Sequence, residues 1–262
     1  MFSDIYQHYR PEEEPFIDQV YGWLEQVNSS YAPYLSQFLT PRQVTILRQI
    51  IAGQDEVRIA LDGGYPNCER QRALLFPPYY QVQEGDLDLA FLKVKYPIKF
   101  AELTHGQILG SLIGSGIERD RLGDIITDGQ EWHVIVDETM ALYLWQTIDK
   151  IDKVGVRLES IPRSELLVPI EEWEDQTVIS SSLRLDSLIS KVYNISRQRA
   201  KEAVQAGLVK VNFLEMDRVD VLVGLEDIVS MRRFGRFRIR SIDGFTKKEN
   251  YRLTVQLLKV KK

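Results

Sequence analysis

Residues 196–212 read SRQRAKEAVQAGLVKVN, a stretch that combines a helix start, a basic helix and the entry into a strand. Ser196 is suited to cap a helix, because its hydroxyl can accept a hydrogen bond from a free N–H group of the first turn. Ala200 and Ala203 recur on one side and are expected to pack inward. Gly207 can take the left-handed conformation that ends a helix. The stretch therefore predicts a short helix packed closely on a neighbour.

This predicted helix carries cations on two sides. Arg197 and Lys201 are four residues apart and project together, whereas Arg199 falls on the opposite flank. The preceding helix has Arg184 at its start and Lys191 two turns later on the same flank. A capped helix start also presents free backbone N–H groups, which favour a phosphate. The pattern predicts a surface that binds anions.

A second group of cations follows at residues 232–240, RRFGRFRIR. In an extended chain Arg236, Arg238 and Arg240 line one face, while Phe237 and Ile239 point the other way. The alternation predicts an arginine stripe on a sheet whose opposite face is apolar. We expect this stripe to lie beside the basic helix.

The overall charge of the chain conceals a division between its two parts. The formal net charge is -5, but residues 181–262 contain 18 Lys or Arg against 9 Asp or Glu, a net of +9. The remaining residues contain 15 basic against 29 acidic side chains, a net of -14. Such asymmetry indicates that the basic part meets a polyanion, because phosphate contacts release counterions. A solvated basic tail is the alternative.

The rest of the chain predicts two further regions. Residues 1–55 show helical periodicity, and Thr40 with Pro41 and Gln43 has the pattern of a capping box. The turn-rich DGGYPN lies between two apolar runs and predicts a hairpin. The elements that follow, over 88–159, have the order β-α-β-β-α-β of a ferredoxin-like unit.

These patterns predict an α+β protein of several parts. We expect a helical amino-terminal region at 1–55, a ferredoxin-like middle domain with an extra hairpin at 56–162, a linker at 163–180 and a basic carboxy-terminal domain at 181–262.

Several classes of protein are disfavoured by the composition. The acidic start lacks the pattern of a signal peptide, and no window is apolar enough for a membrane span, so we expect a cytoplasmic protein. The single Cys68 cannot form an internal disulfide. His8, His105 and His133 are far apart in sequence and lack neighbours at metal spacing, so neither a metal nor a cofactor is expected.

Two features of the middle domain are weaker candidates for a functional site. Trp132 lies in the strand EWHVIV and could stack on RNA as aromatics of RRM sheets do, although a packed side chain is the favoured interpretation. The cluster ERDRLGD at 118–124 has enough carboxylates for acid–base chemistry. Alternating Arg and Asp in a loop more often form mutual ion pairs that fix the turn, which is the structure we expect.

Four pieces of the carboxy-terminal sequence resemble, in order, the S-four-like (alpha-L) RNA-binding domain: RLD at 184–186, SRQRA at 196–200, AGLVKVN at 206–212 and VGLEDIV at 223–229. The resemblance implies two helices against a small sheet, with structured RNA bound by the second helix and adjoining loops. Phe213 departs from the pattern, because many members have Gly after the Asn, so a different turn is expected there. The expected RNA-binding residues are Arg184, Lys191, Ser196, Arg197, Arg199, Lys201, Lys210, Asn212, Arg232, Arg233, Arg236 and Arg238.

The whole chain resembles the YlmH family of bacterial proteins, on the stretches GGYPNCERQRALLFPPYY at 63–80 and GSLIGSGIERDRLGDI at 110–125. The resemblance implies a ribosome-associated factor that binds ribosomal RNA or tRNA on large subunits carrying stalled peptidyl-tRNA. We expect binding without catalysis, no cofactor, no membrane partner and a monomer.

An RNA-modifying enzyme with its active site in the middle domain is the alternative, since pseudouridine synthases and some methyltransferases carry the same RNA-binding module. Arg184-Leu185-Asp186 superficially resembles the catalytic triplet of the synthases, but it opens the binding module here.

Overall fold

The structure is a computed structural model, which describes residues 9, 11–169, 173–225 and 227–259. The chain divides into two compact units, residues 1–169 and 170–262, and helices and antiparallel sheets occur in both. The predicted α+β class is confirmed. Among the described helices, none has the length and apolar character needed to cross a bilayer.

The first unit begins with two helices packed on a small sheet. Its elements are a 3-10 turn at Pro11–Glu13, α1 (Glu14–Ser30), β1 (Tyr34–Leu39), α2 (Pro41–Ile51), β2 (Arg58–Asp62) and β3 (Gln71–Phe76). The antiparallel sheet has the order β1-β3-β2. The apolar sides of both helices form one core with the sheet, in which Ile17, Val20, Leu47 and Leu75 are fully buried.

The predicted helical region at 1–55 also contains a strand, because residues 34–39 form β1. Tyr31 takes a left-handed conformation, with φ 55°, and ends α1. The strand then lies beside β3, where the Ala73 N–H donates to Ser36 Oγ at 2.9 Å and Arg72 Nε donates to the Ser36 carbonyl at 2.9 Å. These partners are distant in sequence, so local periodicity did not indicate the strand. The predicted hairpin β2-β3 and the Thr40 capping box are confirmed.

The second part of this unit is a four-stranded sheet with two helices. Its elements are β4 (Leu89–Lys95), α3 (His105–Gly114), a 3-10 turn at Arg119–Arg121, β5 (Leu122–Thr127), β6 (Trp132–Asp137), α4 (Glu138–Thr147), the short strands β7 (Lys150–Ile151) and β8 (Val154–Gly155), β9 (Arg157–Ile161) and a 3-10 turn at Arg163–Glu165. The antiparallel sheet has the order β5-β6-β4-β9. Apart from β7 and β8, the elements follow one another as strand, helix, strand, strand, helix, strand, the order that the sequence predicts.

Both faces of this four-stranded sheet are covered. One face packs with α3 and α4 in a core that includes Ile108, Leu112 and Leu144. The other face contacts the first part of the unit, where Phe38 of β1 and Leu166 pack against Ile135.

The second unit is a six-stranded sheet with two helices on one face. Its elements are β10 (Glu174–Ser180), α5 (Leu185–Val192), α6 (Arg197–Gln205), β11 (Val209–Val211), β12 (Leu214–Glu215), β13 (Ile228–Met231), β14 (Gly235–Phe245) and β15 (Tyr251–Lys259). The antiparallel sheet has the order β10-β15-β14-β13-β11-β12. Leu188 and Ile189 of α5 and Val204 of α6 pack on Phe237 and Val255 of the sheet.

The sequence predicts a linker at 163–180 with a domain boundary near 180. In the structure, both ends of this segment belong to folded units. Arg163 donates to both carboxylate oxygens of Asp62, and Leu166 is buried in the core of the first unit. At the other end, β10 pairs with β15 along its whole length and forms an edge of the second sheet. The acidic composition of this segment suggested a linker, but an edge strand tolerates charged side chains because one of its faces is solvated.

Candidate nucleic-acid interface

Helix α6 begins and ends as its sequence predicts. Ser196 adopts an extended conformation, and its Oγ accepts a hydrogen bond from the Arg199 N–H at 3.1 Å. Ala200 and Ala203 are buried against the core. Gly207 follows with φ 67°, and a Cβ at this position would lie 2.4 Å from Glu215 Oε1. Close packing and a glycine stop therefore fix the position of the helix.

Two of the predicted cations share one buried carboxylate. Arg197 donates from Nε and Nη2 to Asp186, at 3.0 and 3.3 Å, and Arg184 donates from Nε at 3.2 Å. The Asp186 side chain is 0% exposed, whereas those of Arg184 and Arg197 are 36% and 51% exposed. Burial alone would raise the pKa of Asp186, but the hydrogen bonds from Arg197 and Arg184 hold it below its ordinary value. The carboxylate is therefore charged near neutral pH.

This arrangement fixes two guanidinium groups at the surface. A guanidinium has five N–H donors in a planar fork, so a group that binds a carboxylate on one edge can still bind a phosphate on another. Because Asp186 already orders Arg184 and Arg197, less side-chain entropy is lost when an anion binds. Asp186 belongs to the RLD motif at 184–186, but the sequence pattern did not indicate a role for it in the site.

Arg199 lies on the other flank of α6, over an aromatic ring. Its Cζ is 5.7 Å from the centroid of Phe234, and Phe234 in turn packs on Tyr193 at 5.2 Å. Phe234 belongs to the turn between β13 and β14, which also carries the exposed residues Arg232 and Arg233. The structure thus brings these arginines to the Arg199 flank of the helix. The sequence did not indicate the contact with Phe234.

The remaining predicted lysines differ in position. Lys201 lies on α6 and is half-buried, and Lys191 is exposed in the last turn of α5. Lys210 is exposed on β11, between the buried residues Val209 and Val211, so it points away from the helices.

Asn212 is a structural residue in this fold, which corrects its prediction as an RNA-binding residue. It is buried, its Nδ2 donates to Asp227 Oδ1 at 2.8 Å, and its Oδ1 accepts from the Ile228 N–H at 3.0 Å. Both polar atoms of the amide are used within the domain.

The expectation of a different turn at Phe213 is also wrong. Asn212 and Phe213 have φ values of 50° and 71°, and Val211 pairs directly with Leu214. Two successive residues with positive φ are the signature of the type I′ turn that Asn-Gly ordinarily forms. Phe213 therefore accepts a conformation that suits Gly, and the turn keeps its shape.

Arg236 and Arg238 do not lie beside the basic helix, contrary to the prediction. Phe237 and Ile239 point into the core with the helices, so their neighbours on β14 point to the opposite face of the sheet. There Arg236 lies over Phe213, at 5.9 Å, and Arg238 lies over Trp173, at 4.8 Å. The predicted stripe exists, but the sheet separates it from α6.

Within residues 11–169, which the structure describes, the middle sheet does not present the open aromatic face of an RRM. The face opposite α3 and α4 is covered by Phe38 and Leu166, and Trp132 packs against the core on the helix side. Trp132 therefore has the packed environment that was the favoured interpretation.

The cluster at 118–124 is not held by mutual ion pairs, which corrects that expectation. Asp124 is buried and accepts from Tyr65 Oη at 2.7 Å and from the N–H groups of Glu69 and Arg70. Burial raises the pKa of Asp124, although these hydrogen bonds oppose the shift. Arg119 donates instead to backbone carbonyls, among them that of Leu122 at 2.6 Å. The cluster fixes the contact between this loop and the 65–70 loop.

The structure shows no candidate metal centre in the part of the chain that it describes. No three His, Cys, Asp or Glu side chains among those residues are grouped so that they could hold an ion. His133 is buried, and its Nδ1 accepts from the Leu167 N–H at 3.2 Å. His8, and Glu226 of the VGLEDIV piece, lie outside the described residues.

Comparisons with known proteins match most of the chain. Residues 12–80 match the family model described as "YlmH, N-terminal", and residues 82–165 match "Putative RNA-binding domain in YlmH". The chain is 38% identical over 254 residues to "Ribosome-associated protein quality control protein P2" of Bacillus subtilis (strain 168), covering 97% of this chain and 98% of that protein.

A solved structure is also similar. "Cell division protein ylmH from Streptococcus pneumoniae" has a TM-score of 0.54 and 33% sequence identity, over 61% of this chain and 97% of that one. The identity with the Bacillus protein extends over nearly the full length of both chains, and both family models match in order along the first unit. The chain therefore belongs to the YlmH family.

Proposed function

We propose that this chain is an RNA-binding factor that associates with ribosomal RNA or tRNA on large ribosomal subunits carrying stalled peptidyl-tRNA. The name of the Bacillus relative supports a place in ribosome-associated quality control, and the family model over 82–165 supports RNA binding. We further propose that the middle sheet is a ferredoxin-like domain and that the second unit is an S-four-like (alpha-L) domain. Two helices on one face of its sheet support the latter assignment.

The observation that carries the proposal is the sharing of Asp186 by Arg184 and Arg197. A buried carboxylate between two part-exposed arginines on adjacent helices costs desolvation energy and is a poor source of stability by itself. It does hold both guanidinium groups at the surface, next to the helix that carries Arg199 and Lys201. Fixed cations at a helix start suit the phosphates of folded RNA.

The proposed role is binding without covalent chemistry. A factor that binds one state of peptidyl-tRNA on the subunit more tightly than the others raises the population of that state. This role needs no cofactor or membrane, would act in the cytoplasm where ribosomal subunits are, and can be performed by a monomer.

The test replaces two cations of α6 in the full chain. Arg199→Glu with Lys201→Glu should lower cosedimentation with purified large subunits by at least about tenfold, because two phosphate contacts become repulsive. Arg197 is left unchanged, since a glutamate there would place a second carboxylate beside buried Asp186 and destabilise the fold. The matched control is Arg48→Glu with Arg58→Glu, two exposed arginines of the first unit, which should cosediment as the wild type does.

Salt and nuclease distinguish the competing interpretations. Affinity of the wild type should fall steeply with salt, and charge-neutral substitutions at Arg199 and Lys201 should reduce the slope of log K against log salt by about two. Wild-type cosedimentation by the double glutamate variant would refute the proposed surface. Binding that survives nuclease digestion of the subunits would indicate a protein partner instead.

A further inference from the structure

The hairpin formed by β14 and β15 carries an aromatic pair close to its turn. Phe245 and Tyr251 are directly opposite across the two strands, with ring centroids 5.0 Å apart and an interplanar angle of 48°. Tyr251 packs against the core of the second unit, whereas Phe245 is 64% exposed. The inner ring thus supports an outer ring that faces solvent.

The turn beyond this pair is closed by hydrogen bonds and presents two lysines. The Glu249 N–H donates to the Thr246 carbonyl at 2.9 Å, and the Thr246 N–H donates to the Asn250 carbonyl at 2.8 Å. Lys247 and Lys248 are the two central residues of this turn, and both are exposed. Their backbone is therefore held at the tip of the hairpin beside Phe245.

The neighbouring part of the hairpin is also fixed. The register of β14 with β15 shifts between Ile242 and Gly244, and Asp243 lies at that irregularity. Its carboxylate accepts from Ser241 Oγ at 2.6 Å and from Thr254 Oγ1 at 2.8 Å, and these hydrogen bonds keep the pKa of Asp243 below its ordinary value. The register of β13 with β14 ends at Arg238, so the tip extends past that strand.

We propose that the tip of this hairpin is a second RNA contact, in which Phe245 stacks on an unpaired base and Lys247 and Lys248 bind the adjoining phosphates. An exposed ring beside two cations suits single-stranded RNA, since every base has a face for stacking and every nucleotide has a phosphate. The inference rests on the proposed RNA-binding function, and it adds residues outside α6 and its neighbouring turn.

The probe is a single-stranded RNA of about 12 nucleotides that contains one 2-aminopurine, whose fluorescence falls when the base stacks on an aromatic ring. Wild-type full-length protein should quench the fluorescence. Phe245→Ala should lose most of the quenching and weaken binding by about tenfold, and Phe245→Trp should restore both. Tyr79→Ala, at an exposed aromatic residue of the first unit, is the matched control and should behave as the wild type does.

The two lysines give an independent measurement. Lys247→Ala with Lys248→Ala should reduce the slope of log K against log salt by about 1.4, because each phosphate contact to a single strand contributes about 0.7. Both lysines are exposed, so the thermal unfolding temperature of the lysine variant should match that of the wild type. Phe245→Ala also loses the ring contact with Tyr251 and should unfold a few degrees lower, so its RNA binding is measured well below that temperature, and Phe245→Trp should restore the contact.

The outcomes separate this proposal from the proposed function. Unchanged quenching and salt slope in the hairpin variants would overturn the second contact, while loss of subunit binding in the Arg199→Glu, Lys201→Glu variant would still support the first surface. If Phe245→Ala loses RNA binding while the Arg199→Glu, Lys201→Glu variant binds large subunits normally, the first surface is refuted and the hairpin contact is supported. If the hairpin variants bind RNA normally but lose nuclease-resistant cosedimentation with large subunits, the tip contacts a protein and the RNA assignment is wrong.

Discussion

Arg197 on helix α6 donates two hydrogen bonds, at 3.0 and 3.3 Å, to Asp186, a fully buried carboxylate on the neighbouring helix α5. This ion pair connects the two helices and also holds the guanidinium group of Arg197 at the surface. Removing the acidic partner should therefore affect both stability and RNA binding.

Asp186→Asn should lower the free energy of unfolding by about 1–3 kcal/mol, because two charge-assisted hydrogen bonds are weakened. RNA affinity should also fall, since Arg184 and Arg197 lose their common anchor. Urea titration and filter binding measure the two effects. Full retention of both quantities in the variant would show that the carboxylate neither stabilises the domain nor orders the arginines.

The same residue predicts an acid-dependent loss of stability. The pKa of Asp186 is lowered in the folded state, so its contribution is present above the unfolded pKa of about 3.9 and is lost as the pH falls through the folded pKa. Urea titrations from pH 5 downwards should show a smaller decline for Asp186→Asn than for the wild type. Equal slopes in the two proteins would contradict the assignment.

Asn212→Ala should destabilise the second unit with little direct effect on RNA contacts. The substitution leaves the buried Ile228 N–H without its acceptor and Asp227 without one donor, at a cost of about 1–3 kcal/mol. Binding measured well below the unfolding temperature should stay within about twofold of wild type. Lys201→Ala, on helix α6, is the contrast, because it removes a cation of the proposed surface and should weaken binding with little effect on stability.

Phe213→Gly should stabilise the fold by up to about 1 kcal/mol. A left-handed conformation costs a residue with a side chain about 1–2 kcal/mol, and Gly avoids this cost. The gain is offset in part by the lost contact with Arg236 and by the flexibility of Gly in the unfolded chain. A thermal unfolding temperature lower than that of the wild type would show that the aromatic contact outweighs the backbone strain.

His133 should make the first unit sensitive to mild acid. Burial and the nearby Lys93 hold the pKa of His133 below its ordinary value, so the fold favours the neutral ring. Stability should therefore decline as the pH falls below about 6.5, where the unfolded chain takes up the proton first. His133→Asn can keep an acceptor for the Leu167 N–H and should remove this decline, which urea titrations between pH 5 and 7 would measure. His105→Gln, at an exposed position, should retain it.

Local signals in the sequence were reliable where the physical cause is itself local. A cap at Thr40 or Ser196 needs only a side chain within reach of the next turn, and both are present in the structure. The alternation on β14 correctly separated Phe237 and Ile239 from the arginines between them. The basic character of the carboxy-terminal part also follows from composition alone.

Only the tertiary structure decided what these elements do together. Strand β1 exists because β3 supplies its partners, and β10 joins a sheet completed by residues more than seventy positions away. A strand has two faces, and the sequence could not tell that the sheet would lie between α6 and Arg238. The role of Asp186 likewise depends on two helices packing at a fixed distance, because a carboxylate orders two arginines only where all three side chains meet.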